Sequence, residues 1–326
     1  MNILVTGGAG YIGSHACRKL LKKAHNVYLV DNFSHSKLEQ LSGITTGTCS
    51  PQIDYYFIDL ADHRMIKYLS HLIQSKEIDV IMHFASFIEV GESVTDPLKY
   101  YSNNVPSMIT LLKAMEDTKC NKIIFSSTAA VYGNPVSDKI TEDHPTNPIN
   151  PYGRTKLYAE NILKDVVSLG KIGAVVFRYF NVAGVTPDGC LHECHEPETH
   201  LIPKIFQAAK ENKPIWIYGE DFPTEDGTCI RDYVHVDDLI DAHILGINSI
   251  IPGQIQTYNI GSQTGYSVKE VICAVEKRLG KKLDVRIGER RAGDPSKLVA
   301  DSSLIQEKLN WSPIYKTIDN IIEHIV

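Results

Sequence analysis

Asn2-Ile3-Leu4-Val5-Thr6-Gly7-Gly8-Ala9-Gly10-Tyr11-Ile12-Gly13 is a short apolar run that breaks into glycines. Such a run, bounded by glycines, reads as a buried strand. Beyond it Ala16, Leu20 and Leu21 recur at helical spacing, so the glycines lie at a strand-to-helix junction. Their register fits both Gly-x-x-Gly-x-x-Gly (Gly7, Gly10, Gly13) and Gly-x-Gly-x-x-Gly (Gly8, Gly10, Gly13). Glycines there permit a tight turn and let the backbone approach a pyrophosphate at the helix N-terminus, where unpaired amides and the dipole favour anions. After the helix, Val27-Tyr28-Leu29-Val30-Asp31 reads as a second strand, ending in a carboxylate eighteen residues past Gly13. An acid at that place can accept both hydroxyls of an adenine ribose and repels a 2′-phosphate. The expected cofactor is therefore NAD rather than NADP.

Further strand-like runs follow at 54–58, 80–83, 122–127 and 174–179, with helical patterns in most of the gaps. Alternating strands and helices predict an α/β chain with a Rossmann-like, doubly wound parallel sheet, whose ligands lie at the strand C-terminal ends. Those ends carry Asp59, Phe84-Ala85-Ser86, Thr128 and Phe180-Asn181, which are thereby nominated as contacts. From about Asn181 the pattern loosens, and Ile215-Trp216-Ile217-Tyr218 looks like a strand outside the main sheet. The expected division is an NAD-binding domain over 1–180, with returns near 236–262, and a smaller C-terminal substrate-binding α/β domain over 181–326. No Ser/Gly linker separates the halves, which predicts one continuous body with a cleft.

The second chemical signal is Asn150-Pro151-Tyr152-Gly153-Arg154-Thr155-Lys156. Asn150 suits a helix N-cap and Pro151 the first helical position. A helical pattern then runs through Leu157, Ile162, Leu163, Val166 and Val167 to about Gly170. Tyr152 and Lys156 therefore share a helix face. A cation held near the phenol is expected to lower its pKa and make it a proton acceptor for an alcohol. Thr128 offers a hydroxyl to the same alcohol, although serine and threonine also serve merely to satisfy loop backbone.

Composition sets outer bounds. A net charge of −6 over 326 residues gives no electrostatic reason to expect nucleic acid. No apolar run approaches the ~20 residues of a membrane span. Met1 leads directly into the first strand with no signal-peptide layout, and seven scattered cysteines do not read as a disulfide framework, so a cytoplasmic protein is expected. Cys190-Leu191-His192-Glu193-Cys194-His195 could ligate zinc, but its neighbours read as a solvated loop and no metal is expected.

In this order the segments resemble the extended short-chain dehydrogenase/reductases, and among them the nucleotide-sugar 4-epimerases. The likeness rests on Gly7 to His15, Asp31-Asn32, His83-Phe84-Ala85, Val90-Gly91-Glu92-Ser93, Asn103-Asn104-Val105 and Phe125 to Thr128. It continues through Pro151-Tyr152-Gly153, Arg178 to Asn181, Glu198 to Pro203, Pro223 to Thr228, Arg231 to Val236 and Arg291 to Pro295, nearly end to end. The resemblance implies NAD held by Tyr11, Ile12, Asp31, Asn32, Asp59, Leu60, Phe84, Asn103, Lys156 and Phe180, beside the glycines and the nominated Ala85 and Ser86. It implies a UDP-sugar pocket using Asn181, Leu201, Arg231, Arg291 and Asp294, with Tyr218 a further candidate, and Thr128, Tyr152 and Lys156 as the catalytic set. The implied reaction interconverts UDP-glucose and UDP-galactose through a 4-keto sugar that turns over in its pocket. A homodimer is implied too, with the Tyr152 helix and a helix over Pro97 to Glu116 forming a bundle.

The chain departs from the family pattern in places. Ile88 stands where some members carry a lysine, Thr128 replaces a serine, and Leu298 is intermediate in size, which leaves N-acetylhexosamine or uronic acid UDP-sugars open. Ala129 and Ala130 follow Thr128 where the resemblance to 4,6-dehydratases or decarboxylases would call for acidic residues. A dinucleotide-sensing, non-enzymatic relative would have the same fold, and an intact Tyr152 and Lys156 count against it.

Overall fold

A computed structural model of the chain describes residues 1–48, 53–193, 198–291 and 294–325. Strands and helices alternate through the first half: β1 (Asn2–Thr6), α1 (Tyr11–Lys22), β2 (Asn26–Asp31), α2 (Gln40–Thr45), β3 (Asp54–Phe57) and α3 (Ile66–Ser75). Next come β4 (Val80–His83), α4 (Val90–Thr95), α5 (Pro97–Glu116), β5 (Lys122–Thr128), α6 (Pro151–Ser168) and β6 (Gly173–Tyr179). The second half begins with β7 (Asn181–Ala183), α7 (Leu201–Glu211), β8 (Ile215–Tyr218), β9 (Ile230–His235), α8 (Val236–Ile247) and β10 (Ile255–Ile260). It ends with β11 (Gly265–Ser267), α9 (Val268–Leu279), β12 (Val285–Gly288), β13 (Lys297–Leu298), α10 (Ser303–Leu309) and α11 (Ile318–Ile321).

Among the described residues seven strands form one parallel sheet, in the order β10-β6-β5-β4-β1-β2-β3. It is a Rossmann-like α/β sheet, and helices cover both faces. Because strand side chains alternate, Ile3 and Val5 join one cluster with Leu20 and Leu21 of α1 and Leu239 of α8. Leu4, between them, faces the opposite cluster, with Leu69 of α3, Leu111 of α5 and Leu163 of α6. Strands buried on both faces are largely apolar, as β1, β4, the first half of β5 and most of β6 are, and the buried polar groups at their ends are hydrogen-bonded. The chain order reverses between β1 and β4, and the C-terminal ends of the strands open there into a crevice.

The second half supplies α8, β10 and α10 to this body, β10 pairing with β6 at the edge of the sheet. Its other elements build a separate core of Ile202, Ile205 and Phe206 from α7, Ile215 and Ile217 from β8, and Val271 and Val275 from α9. Strands β7, β11 and β13 pair with β9, while β8 and β12 form a two-stranded ribbon.

Candidate active site

The crevice is a cavity of about 1090 Å³, ample for more than one small ligand. Its floor begins at the glycine turn. Gly7 takes φ +67, and a Cβ there would stand 2.6 Å from the Ala85 nitrogen. A Cβ on Gly13 would stand 2.1 Å from the Gly7 oxygen, so α1 packs onto the turn only because position 13 is bare. Gly10 caps α1 with no side chain, leaving the first-turn amides of Tyr11, Ile12 and Gly13 without a side-chain cap. All these glycines line the cavity, as do Tyr11 and Ile12. At the end of β2 the buried Asp31 carboxylate accepts from the Ala9 amide at 3.0 Å, the Phe33 amide at 2.8 Å and the Ser36 hydroxyl at 3.1 Å. Asn32, Asp59, Leu60, Phe84, Ala85, Asn103 and Phe180 share the same wall. Ser86 Oγ also faces the cavity, a buried hydroxyl with no hydrogen-bond partner among the described residues. An anion-ready helix end, a carboxylate fixed by amides and an orphan hydroxyl fit a dinucleotide.

Helix α6 brings the second set. The Asn150 side chain accepts from the Gly153 amide at 2.8 Å, and Pro151 begins the helix, so the local sequence fixes where the turn starts. Tyr152 and Lys156 are buried in the cavity wall beside Thr128 at the end of β5. Thr128 hydrogen-bonds Tyr152, and its oxygen also accepts from the Ala130 amide at 3.1 Å. Lys156 Nζ donates to the Ser126 carbonyl at 2.8 Å and lies 5.1 Å above the Phe125 ring.

The electrostatics correct one expectation. Burial pushes the Tyr152 phenol up to about 12, partly offset by Thr128, so Lys156 does not lower it in the ligand-free chain. The reason is visible in the same lysine. Burial pulls Lys156 down to about 7 against the pull of Glu160, and its ammonium is spent on a carbonyl. Spacing placed the pair on one face, but the desolvation of both groups sets the sign.

Asn181, Arg231, Arg291, Asp294 and Leu298 also line the cavity, the last packed against the cluster that holds Ala129 and Phe180. Arg231 donates to the Ile230 and Pro295 carbonyls at 2.9 and 2.8 Å and meets Asp294 at 3.5 Å. Two expected residues, Leu201 and Tyr218, are not among those that line the cavity. Leu201 opens α7 and packs into the core of the second half. Tyr218 lies behind, its ring supporting the Arg291 guanidinium at 4.0 Å.

Spacing did not nominate Tyr179, Glu193, His200 or Lys204, which also line the cavity. Tyr179 ends β6 and was within reach of the strand-end rule. His200 Nδ1 meets Glu193 at 2.8 Å and Glu198 at 3.3 Å. Burial lowers its pKa, yet Glu193 and then Glu198 outweigh that and push it up to about 10. The three ligand atoms lie within 4.8 Å of one another. Of the suspected zinc loop, Cys194 and His195 fall outside the described residues, as do Ala292 and Gly293 beside Arg291.

The chain is similar to known proteins over nearly its whole length. A family model described as GDP-mannose 4,6 dehydratase matches residues 4–325. The chain is 45% identical over 327 residues to a UDP-glucose 4-epimerase of Lacticaseibacillus casei, covering 99% of this chain and 95% of that one. A crystal structure of UDP-glucose 4-epimerase from Bifidobacterium longum, in complex with NAD+ and UDP, superposes with a TM-score of 0.94 at 39% identity. That match covers 99% of this chain and 96% of the other. The UDP-Glc/GlcNAc 4-epimerase of Campylobacter jejuni matches with a TM-score of 0.83 at 37% identity, covering 99% and 97%.

Proposed function

The chain belongs to the UDP-glucose 4-epimerase family, and from that membership we propose that it interconverts UDP-glucose and UDP-galactose by inverting C4 through a 4-keto sugar. The observation that carries the reading is the buried Tyr152, Lys156 and Thr128 at the C-terminal end of β5, lining one cavity with Arg231 and Arg291. NAD, when bound, supplies a reversible hydride acceptor. Gly7, Gly10, Tyr11, Ile12 and Gly13 would hold its pyrophosphate, Asp31, Asn32, Asp59 and Leu60 its adenosine half, and Ser86, Asn103, Lys156 and Phe180 the rest.

Tyr152 takes the proton of the sugar 4-hydroxyl and gives it back, and Thr128 orients that hydroxyl. With the phenol starting near 12, proton transfer needs added positive charge beside it, and Lys156 in its charged form is placed to give it. Arg231 and Arg291 suit the diphosphate, since guanidinium forks match phosphate oxygens. Tight contacts at the diphosphate with few at the hexose would let the ring turn. Ala129 and Ala130 put no carboxylate after Thr128, which disfavours dehydration despite the family model's description.

The same proposal places the cleft between a cofactor domain of 1–180, with returns near 236–262, and a sugar domain of 181–326. It also makes the protein a cytoplasmic homodimer. In support of the dimer, α5 and α6 lie side by side and leave Leu98, Ile109 and Tyr158 exposed. No helix among the described residues is long and apolar enough to cross a membrane. The test is to incubate purified protein with UDP-galactose and no added cofactor, following the anomeric protons by NMR. A mixture with UDP-glucose is expected, and a 4-keto-6-deoxy product would transfer the chain to the dehydratases.

A further inference from the structure

One turn beyond Lys156 on α6, Glu160 is a buried carboxylate that the proposed reaction does not use. It accepts from the Ser127 hydroxyl and, at 2.5 to 3.2 Å, from the Arg178 guanidinium on β6. Arg178 continues to Tyr132 at 3.1 Å, and Tyr132 to Asn259 on β10 at 2.7 Å. Ser127 is flanked by Ser126, whose carbonyl holds Lys156, and by Thr128, whose hydroxyl meets Tyr152. One carboxylate thus grips the end of β5 between the anchors of both proposed catalytic groups. We propose that Glu160 is a positioning residue: through Ser127 it fixes the end of β5 under Tyr152 and Lys156, and it supplies the anion that Lys156 faces. The kinetic part of this rests on the epimerase reading.

The charges around Lys156 leave that role to Glu160. Tyr152 and Glu160 share its helix. From β4 it meets His83, which burial and then Lys156 itself push down to about 3, so His83 is neutral. On β6, Tyr179 stands by Tyr152, with its pKa raised by burial, and Arg178 is already engaged by Glu160. On β5 there are only the Ser126 carbonyl and the Phe125 ring. From α5, Asn104 bonds the neighbouring Thr155 at 3.0 Å, and on α4 Glu92 is engaged by Lys99 and Tyr100.

The test reads Lys156 directly. In purified protein carrying ¹³Cε-lysine, with the Lys156 resonance identified through Lys156→Arg, the titration midpoint is followed by NMR. Glu160→Gln keeps the shape and removes the charge, and the midpoint should fall by about one unit or more. Ser127→Ala leaves the ion pair alone. It should leave the midpoint in place and lower kcat by about tenfold, with KM for UDP-galactose unchanged. If Glu160→Gln does not fold with Arg178 unpaired, Glu160→Gln/Arg178→Met is titrated against Arg178→Met, so that the difference in midpoint reads the Glu160 charge alone. An unmoved midpoint in whichever of these folds, or wild-type kcat in Ser127→Ala, would overturn the proposal. If the wild type leaves UDP-galactose untouched, the epimerase reading fails, and the lysine titration still decides the role of Glu160.

Discussion

Tyr152→Phe separates catalysis from stability because the two effects differ in size. The substitution keeps a ring that is 8% exposed and deletes one oxygen. On the protein side that oxygen bonds Thr128. Such a hydrogen bond is worth about 1 kcal/mol net, and the deletion also removes the cost of burying the hydroxyl. For a chain of this size, a loss of that order moves Tm by at most about 2–4 °C. A general base contributes about 10²–10⁴ in rate, equivalent to about 3–5 kcal/mol of barrier. Turnover should therefore fall by at least ~10² while the fold barely changes.

The assay combines three measurements on one preparation: conversion of UDP-galactose by NMR, a thermal melt, and UDP binding by calorimetry. UDP affinity should hold, because Arg231 and Arg291, which suit the diphosphate, are untouched. A variant that melts like the wild type and turns over within ~10-fold of it would refute the assignment of the base. Thr128 would be the next residue to examine.

Other outcomes follow from the same geometry. Lys156→Met should abolish turnover and weaken NAD retention, yet raise the thermal stability of ligand-free protein near neutral pH. The sign follows from linkage: the lysine titrates near ~10.4 unfolded and about 7 folded, so between those values the unfolded state holds more protons and wild-type stability rises with pH. A variant melting below the wild type at pH 7 would contradict it. Wild-type protein should prefer NAD over NADP by ~10² or more, as like charges in contact cost several kcal/mol. Asp31→Asn, which keeps an acceptor for the Ala9 or Phe33 amide, should narrow that gap in equilibrium dialysis. Chelator treatment should leave activity unchanged and elemental analysis should find no stoichiometric metal. One zinc per chain would reopen the Glu193, Glu198 and His200 group.

Features set within one element were legible in the sequence. The glycine turn, the Asp31 strand end and the Asn150 cap each depend on residues a few positions apart, and the structure places them where spacing put them. Features set between elements were not. The Tyr218 ring lies under Arg291, a placement that follows from the pairing of β8 with β12 and cannot be read from either strand alone. The Glu160–Arg178 pair joins α6 to β6, and nothing in Tyr-x₃-Lys-x₃-Glu says which strand will supply the cation.

The tyrosine pKa shows why the difference matters. Counting only the attraction between an ammonium and a phenolate one helical turn apart gives a lowered value. The sheet adds Phe125, Ser126, His83 and Tyr179 around the same two groups, and removing water from both disfavours both charges. Tyr152 then rises to about 12 as Lys156 falls to about 7. Burial thus biases both groups towards their uncharged forms. The phenol becomes a base only with positive charge or further hydrogen bonds beside it, which Lys156 in its ammonium form is placed to supply.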